Sequence, residues 1–133
     1  IEQIQPLVTR RLRREVLYPS QPIDNVVLEE DDNGIHFGLY DSNKLISVVS
    51  LFIRGTEAQF RKFATDNNYQ GKGYGSELLN FMLTYAKQQG VAKIWCNARM
   101  TAINFYSKHG FTEAGSNFIN GDITYIRMEK SLD

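Results

Sequence analysis

One cysteine, Cys96, among 133 residues excludes an intrachain disulfide framework and suits a reducing compartment. Net charge is also missing, because fifteen basic residues balance fifteen acidic ones. Domains that grip duplexes usually carry a basic surplus, since neutralising phosphates drives their affinity. The balance therefore argues against a nucleic-acid partner and against an anionic membrane surface. No apolar run nears the ~20 residues that cross a bilayer. The opening Ile1-Glu2-Gln3-Ile4 does not resemble a signal peptide. The cytoplasm is the expected compartment. Repeats, linkers and low-complexity tracts are absent too, which predicts a single domain over residues 1–133. No metal site is expected.

What is present suits a packed core. Hydrophobic residues make up 42% and charged residues 23%, with eight Phe, seven Tyr and one Trp. From Glu2 to Leu17 the apolar residues Ile4, Leu7, Val8, Leu12, Val16 and Leu17 are spaced as on a helix. Arg10, Arg11, Arg13 and Arg14 lie between them and read as its solvated face. Pro19 and Pro22 end that helix. Strands are predicted over Ile35–Tyr40, Leu45–Ile53 and Thr56–Thr65, the third with imperfect alternation that allows a bulge. Leu78, Leu79, Met82, Leu83 and Ala86 form one helical stripe, with Gly90 placed to follow its C-terminus. Val91–Cys96 reads as a short strand, and Thr101 as the cap of a helix from Ala102 to about His109. Phe111–Phe118 and Ile123–Met128 read as a final antiparallel pair. The order is that of one mixed α/β layer structure.

Between the third strand and the striped helix stands Gln70-Gly71-Lys72-Gly73-Tyr74-Gly75. Glycines at alternate positions let the backbone turn through positive φ and come close to a ligand. Consecutive N–H groups at a helix N-terminus form an anion site, to which Lys72 adds a cation. A tight turn alone needs fewer glycines, so the loop favours a phosphate ligand. The P-loop spacing Gly-x-x-x-x-Gly-Lys-Ser/Thr does not occur. The dinucleotide spacing Gly-x-Gly-x-x-Gly fails at Ser76.

The pattern Gln-x-x-Gly-x-Gly, here Gln70, Gly73 and Gly75, resembles the acetyl-CoA pyrophosphate loop of GNAT acetyltransferases. Ala102-Ile103-Asn104-Phe105-Tyr106, followed by Gly110-Phe111, is similar to the family's later motif. The resemblance covers about residues 35–130. The stretch from Leu12 to Pro22 also looks like the start of small bacterial GNAT proteins of undefined substrate. The fold this implies is a mixed α+β domain with a central, mostly antiparallel, twisted sheet flanked by helices.

The resemblance also implies roles. Phe63, Ala64 and Thr65 would offer backbone groups to the pantetheine arm, with the amide near Ala64 as oxyanion donor. Gln70 and the N–H groups of Gly71, Lys72, Gly73, Tyr74 and Gly75 would hold the pyrophosphate. Ser76, Asn97 and Asn104 would complete the cofactor contacts. Tyr106 would be the general acid for the leaving thiolate. Arg99 stands where many members have Asn or Gln; it would bond pantetheine amides or a substrate carboxylate. Gln59 stands where some members carry a glutamate base, and it cannot accept a proton.

The base is therefore open. His36 is the leading candidate, at a strand position that either lines the cleft or faces solvent. Glu57, Asp66 and Asp122 are weaker ones. Arg61 is a candidate substrate contact, Cys96 reads as packing, and the run Glu29–Asp32 as a solvated loop. The expected activity is acetyl transfer from acetyl-CoA to a primary amine of a small molecule or peptide by direct attack, releasing CoA. The alternatives are an acetyl-CoA sensor without turnover and a transferase of larger acyl groups. Either a monomer or a homodimer fits, since an exposed final strand could pair with a second copy.

Overall fold

The computed structural model describes Ile1–Asp133 as an eight-stranded sheet with helices on both faces. The strands are β1 (Glu2–Ile4), β2 (Ile35–Asp41), β3 (Lys44–Arg54), β4 (Glu57–Thr65), β5 (Lys93–Arg99), β6 (Thr112–Glu113), β7 (Phe118–Asn120) and β8 (Ile123–Ser131). Their order is β1-β2-β3-β4-β5-β8-β6, with β7 also on β8. Every pair is antiparallel except β4 with β5. The mixed, mostly antiparallel sheet matches the expected fold.

One face packs on helix α2, Tyr74–Gln88, which buries Leu78, Leu79, Met82, Leu83 and Ala86 as their spacing predicted. Phe37, Val49, Leu51, Phe60, Ile94 and Met128 meet that stripe from the sheet. Gly90, at φ +86°, follows the helix in the left-handed region that a C-terminal cap uses. The short helix α3, Ile103–Lys108, adds the buried Tyr106 to the same core.

The chain's first residues cover the other face, and here the sequence expectation needs correction. No single helix runs from Glu2 to Leu17. Glu2–Ile4 is an edge strand on β2, and the helical stretch begins at Pro6. It continues as a helical turn, Arg10–Leu12, and a π-turn, Arg13–Leu17. Leu12 packs on Val48 and Ala64. Two further corrections concern the C-terminal third. Ala102, not Thr101, precedes α3, and no side chain caps it. Phe111–Phe118 is no continuous strand, because Gly115 at φ +91° separates β6 from β7.

Arg13 overturns the solvated reading of the arginine run, while Arg11 and Arg14 are exposed as expected. Arg13 is 0% exposed. Its Nη1 donates to the Val26 carbonyl at 2.9 Å and to Asp31 Oδ2 at 2.8 Å. Its Nη2 donates to Asp31 Oδ1 at 2.9 Å and to Ser50 Oγ at 2.8 Å. A guanidinium fork matches a carboxylate in this bidentate way. Only Arg13 Nε lacks a partner. Burial would raise the Asp31 carboxyl, but the hydrogen bonds from Arg13 and the Leu28 N–H, with the charges of Arg13 and His36, hold it below the ordinary value. Asp31 is accordingly no part of a solvated acidic loop.

Removing one partner of a buried ion pair strands the other charge. Arg13→Met should therefore cost about 3–5 kcal/mol in urea unfolding at neutral pH, and Arg13→Met with Asp31→Leu should recover part of that loss. The Asp31 contribution is complete above its unfolded pKa and fades as pH falls through the lower folded one. The acid limb of the stability curve should therefore flatten in the double variant.

Candidate active site

The parallel pairing of β4 with β5 lasts only from Glu57↔Lys93 to Gln59↔Trp95. Beyond it β4 stays on β3 as far as Thr65, while β5 stays on β8 as far as Arg99. The two strands diverge and leave a wedge. Its β4 side carries the anticipated bulge. Val48 faces Ala64 but Ser50 faces Arg61, so β4 holds one extra residue there. Lys62 sits in this interval at φ +53°, a conformation rare for a side-chain-bearing residue.

Two spaces fill the wedge and share Phe63, Ala102 and Tyr106. The first is a groove of ≈ 360 Å³ lined by Ala64, Thr65, Tyr69, Gln70, Gly71, Gly73, Gly75 and Ser76, with Val16 from the π-turn and Phe105 from α3. The second is a cavity of ≈ 310 Å³ lined by Gln59, Arg61 and Lys62 of β4 and by Asn97 and Arg99 of β5. Leu17 and Tyr18 close it on one side; Phe118, Asn120 and Tyr125 of the β7–β8 hairpin close it on another.

The groove end at α2 presents the features of an anion site. Gly73 precedes the helix at φ +88°, and the space a Cβ would occupy is open at both Gly71 and Gly73. The first intrahelical bond runs from the Glu77 N–H to the Gly73 carbonyl. The N–H groups before it lack helical acceptors and sit at the positive end of a 15-residue dipole. Space is tighter at Gly75. A Cβ there would come within 3.3 Å of Thr65 Oγ1. The Gln70 amide is engaged inside the loop, donating to the Thr65 carbonyl at 2.9 Å and to Asn67 Oδ1 at 3.1 Å. What the loop offers a ligand is therefore mainly backbone. These donors fit a pyrophosphate, and the edge of Phe63–Thr65 turned away from β3, which no strand pairs and where Gln70 holds only the Thr65 carbonyl, fits an amide-bearing arm.

Several expected site residues stand elsewhere. His36 lies in neither space; it is 2% exposed, beneath the first residues of the chain. Its Nε2 lies 2.8 Å from the Asp31 carbonyl, which can only accept, so Nε2 carries a proton. Its Nδ1 meets Ser50 Oγ at 2.7 Å. With both nitrogens engaged, His36 is a structural member of the Arg13 network and not a cleft base. Lys72, Tyr74 and Asn104 line neither space, and Asn104 is exposed. Arg99 and Asn97 line the cavity and not the groove. Glu57, Asp66 and Asp122 line neither. Arg61 has its partner in Glu30, within the acidic run that the sequence had suggested was only solvated.

Tyr106, 8% exposed, stands where the spaces meet. Burial, then the neighbouring Cys96, push its pKa well above the ordinary tyrosine value, against a smaller pull from Arg99. The hydroxyl is thus a proton-bearing donor throughout the physiological range. Burial also pushes the Cys96 thiol up to about 12, which suits packing and not nucleophilic attack.

Sequence reading overlooked Lys62, Tyr18 and Tyr125. Lys62 Nζ donates to Tyr18 Oη at 2.6 Å and lies 4.4 Å from the centroid of the Tyr18 ring. Burial, then the charges of Arg61, Arg13 and Arg99, lower its pKa to about 8, against a smaller pull from Asp31. The irregular alternation of β4 was the one available signal, since a bulge re-aims a side chain.

A mixed sheet split between two parallel strands, with an anion cradle on a helix N-terminus and a second cavity beyond a buried tyrosine, defines an acyl-transfer domain. The chain belongs to the GNAT acetyltransferase family, whose domain, described as "Acetyltransferase (GNAT) domain", matches residues 12–132. It is similar to the uncharacterised N-acetyltransferase YitI of Bacillus subtilis (strain 168), with 31% identity covering 93% of this chain and 90% of that protein. In fold it is similar to the ribosomal-protein-S18-alanine N-acetyltransferase of Escherichia coli, with TM-score 0.83 and 20% identity over 98% of this chain and 92% of the other. A GNAT family acetyltransferase from Elizabethkingia anophelis, solved with acetyl-CoA bound, superposes with TM-score 0.74 and 15% identity over 91% and 88% of the two chains.

The Lys62 environment can be measured directly. By ¹³C NMR of labelled lysine, Lys62 should titrate near pH 8, apart from the exposed lysines. Arg99→Gln removes a repelling cation and should move that titration upward. Because the folded pKa is depressed, stability should rise as pH climbs from about 8 towards the unfolded value of 10.5.

Proposed function

We propose that this protein transfers the acetyl group of acetyl-CoA to a primary amine of a small molecule or peptide by direct attack. The observation that carries this reading is the meeting of groove and cavity at Phe63, Ala102 and Tyr106. A donor laid along the groove and an acceptor in the cavity would present their reactive ends to each other there. Acetyl-CoA, when bound, supplies the thioester as electrophile. The backbone of Phe63–Thr65 would pair with the pantetheine amides, and the α2 N-terminus would neutralise the pyrophosphate. In the transfer the amine nitrogen bonds the acetyl carbon, the carbon–sulfur bond breaks, and the nitrogen's proton leaves to solvent. Tyr106 holds a proton at its hydroxyl oxygen, where it donates a hydrogen bond to the departing sulfur as negative charge develops.

No side-chain carboxylate lines either space. The cavity offers a substitute for a base. Arg61, Lys62 and Arg99 disfavour a further positive charge, so they depress the pKa of a bound ammonium and favour the neutral amine that attacks. The same missing carboxylate is the observation that favours the second reading, a domain that holds acetyl-CoA without turnover.

Thermal unfolding with acetyl-CoA, CoA or NAD tests the donor, and thiol release with a panel of amines tests transfer. Acetyl-CoA and CoA at 100 times Kd should add ~2.7 kcal/mol and NAD nothing. Tyr106→Phe should lower kcat by about 10²-fold while leaving the CoA shift in place. Absence of any shift at millimolar acetyl-CoA would overturn the reading; a shift without thiol release leaves the sensor.

A further inference from the structure

Every charged side chain lining the acceptor cavity is a cation: Arg61, Lys62 and Arg99. Only Arg61 has a counter-ion, Glu30. Lys62 spends one donor on the Tyr18 hydroxyl, and Arg99 Nη2 donates to the Leu17 carbonyl at 2.9 Å. Neither takes part in an ion pair. Both stand by one ring, with Lys62 Nζ 4.4 Å and Arg99 Cζ 5.9 Å from the Tyr18 centroid. The buried Asp31 carboxylate cannot serve them, because it is taken by Nη1 and Nη2 of Arg13 and the Leu28 N–H.

Half-buried cations in a confined space cost free energy until an anion arrives. Burial first, and then the charges of Arg61, Arg13 and Arg99, hold the Lys62 pKa below its ordinary value. Phosphates of a donor in the groove are not the missing anion. No charged side chain lines the groove, and its anion cradle is the backbone at Gly71–Ser76. The cations are confined to the acceptor side.

We propose that the acceptor is a small primary amine that also carries a compact anion, a carboxylate or a phosphate, bound by Arg99 and Lys62. The inference rests on the transferase reading above and narrows its acceptor. A guanidinium fork receives two oxygens of such a group side by side, and the ammonium adds a point charge. Anchoring one end of the acceptor there leaves its amine free to reach the seam at Tyr106. Amines whose only charges are positive, such as diamines and polyamines, would add repulsion to a lining that already repels. A cavity of ≈ 310 Å³ lies at the small end of ligand sites, which suits a molecule of amino-acid size.

Matched acceptors decide the matter. Thiol release from acetyl-CoA is followed with an amino acid against its amide, an aminoalkyl phosphate against the amino alcohol, and putrescine. The anion-bearing member should exceed its neutral partner at least tenfold in kcat/KM, and the larger ratio identifies carboxylate or phosphate. Lys62→Met and Arg99→Gln should each collapse that ratio, chiefly by raising KM. Equal rates within both pairs, or preference for putrescine, would overturn the inference. Binding is measured in parallel, as the thermal shift each amine adds to the CoA complex. If no amine releases thiol but the anionic ones alone add stability, the ligand class stands and the transfer reaction falls. If neither assay discriminates while CoA still binds, the transferase reading can stand and this inference fails.

Discussion

The site depends on where β4 and β5 stop pairing. Their parallel ladder ends at Gln59 and Trp95. From there β8 holds β5 in unbroken register as far as Arg99, while the extra residue at Lys62 turns β4 away along β3. The edge of Phe63–Thr65 turned away from β3 is left with backbone groups that no strand completes. Unmatched backbone groups at a protected edge must find water or a ligand. The groove and the cavity behind it are two results of one divergence. Tyr106, brought in by α3, stands where the strands separate and lines both spaces.

A second constraint holds the acceptor side in place. The π-turn Arg13–Leu17 is fixed to the sheet by a fully buried guanidinium that reaches Val26, Asp31 and Ser50. Leu17 and Tyr18 follow directly and become part of the cavity wall. Buried ion pairs often add little net stability, because desolvation opposes the attraction. Their geometry is nonetheless exacting, and here it sets where the Tyr18 ring stands relative to Lys62 and Arg99. The aromatic face and the hydroxyl of Tyr18 partly compensate two cations that have no carboxylate.

Legibility in the sequence followed the range of the interactions involved. Helix α2 was readable because its five buried residues repeat within one element, and the loop before it because Gly73 needs its φ of +88° whatever surrounds it. The bulge in β4 left a trace as broken alternation. Arg13 was not readable. It looks like Arg11 and Arg14 in the chain, and only Asp31 and Ser50, 18 and 37 residues away, set it apart. For His36 alternation offered cleft or solvent, and neither holds because a covering segment supplies the Asp31 carbonyl and the neighbouring β3 supplies Ser50. The break at Gly115 was legible, because Gly115-Ser116-Asn117 is turn chemistry between the segments β6 and β7 that each pair with β8. The acceptor wall was the least legible part, since it draws on β4, β5, the π-turn and a hairpin from the far end of the chain.

That last arrangement separates two kinds of variation. The groove is built mainly from residues 63–76 and 102–106, at the N-terminus of α2. Part of the cavity wall comes instead from residues 17–18 and 118–125, far in sequence from that stretch. The β7–β8 hairpin pairs through a single edge of β8, and Ile119 in it is 74% exposed. Residues there can drift, lengthen or shorten without passing strain to the glycine loop. A lineage of such domains could therefore change its nitrogen-bearing clients many times while keeping one acyl currency.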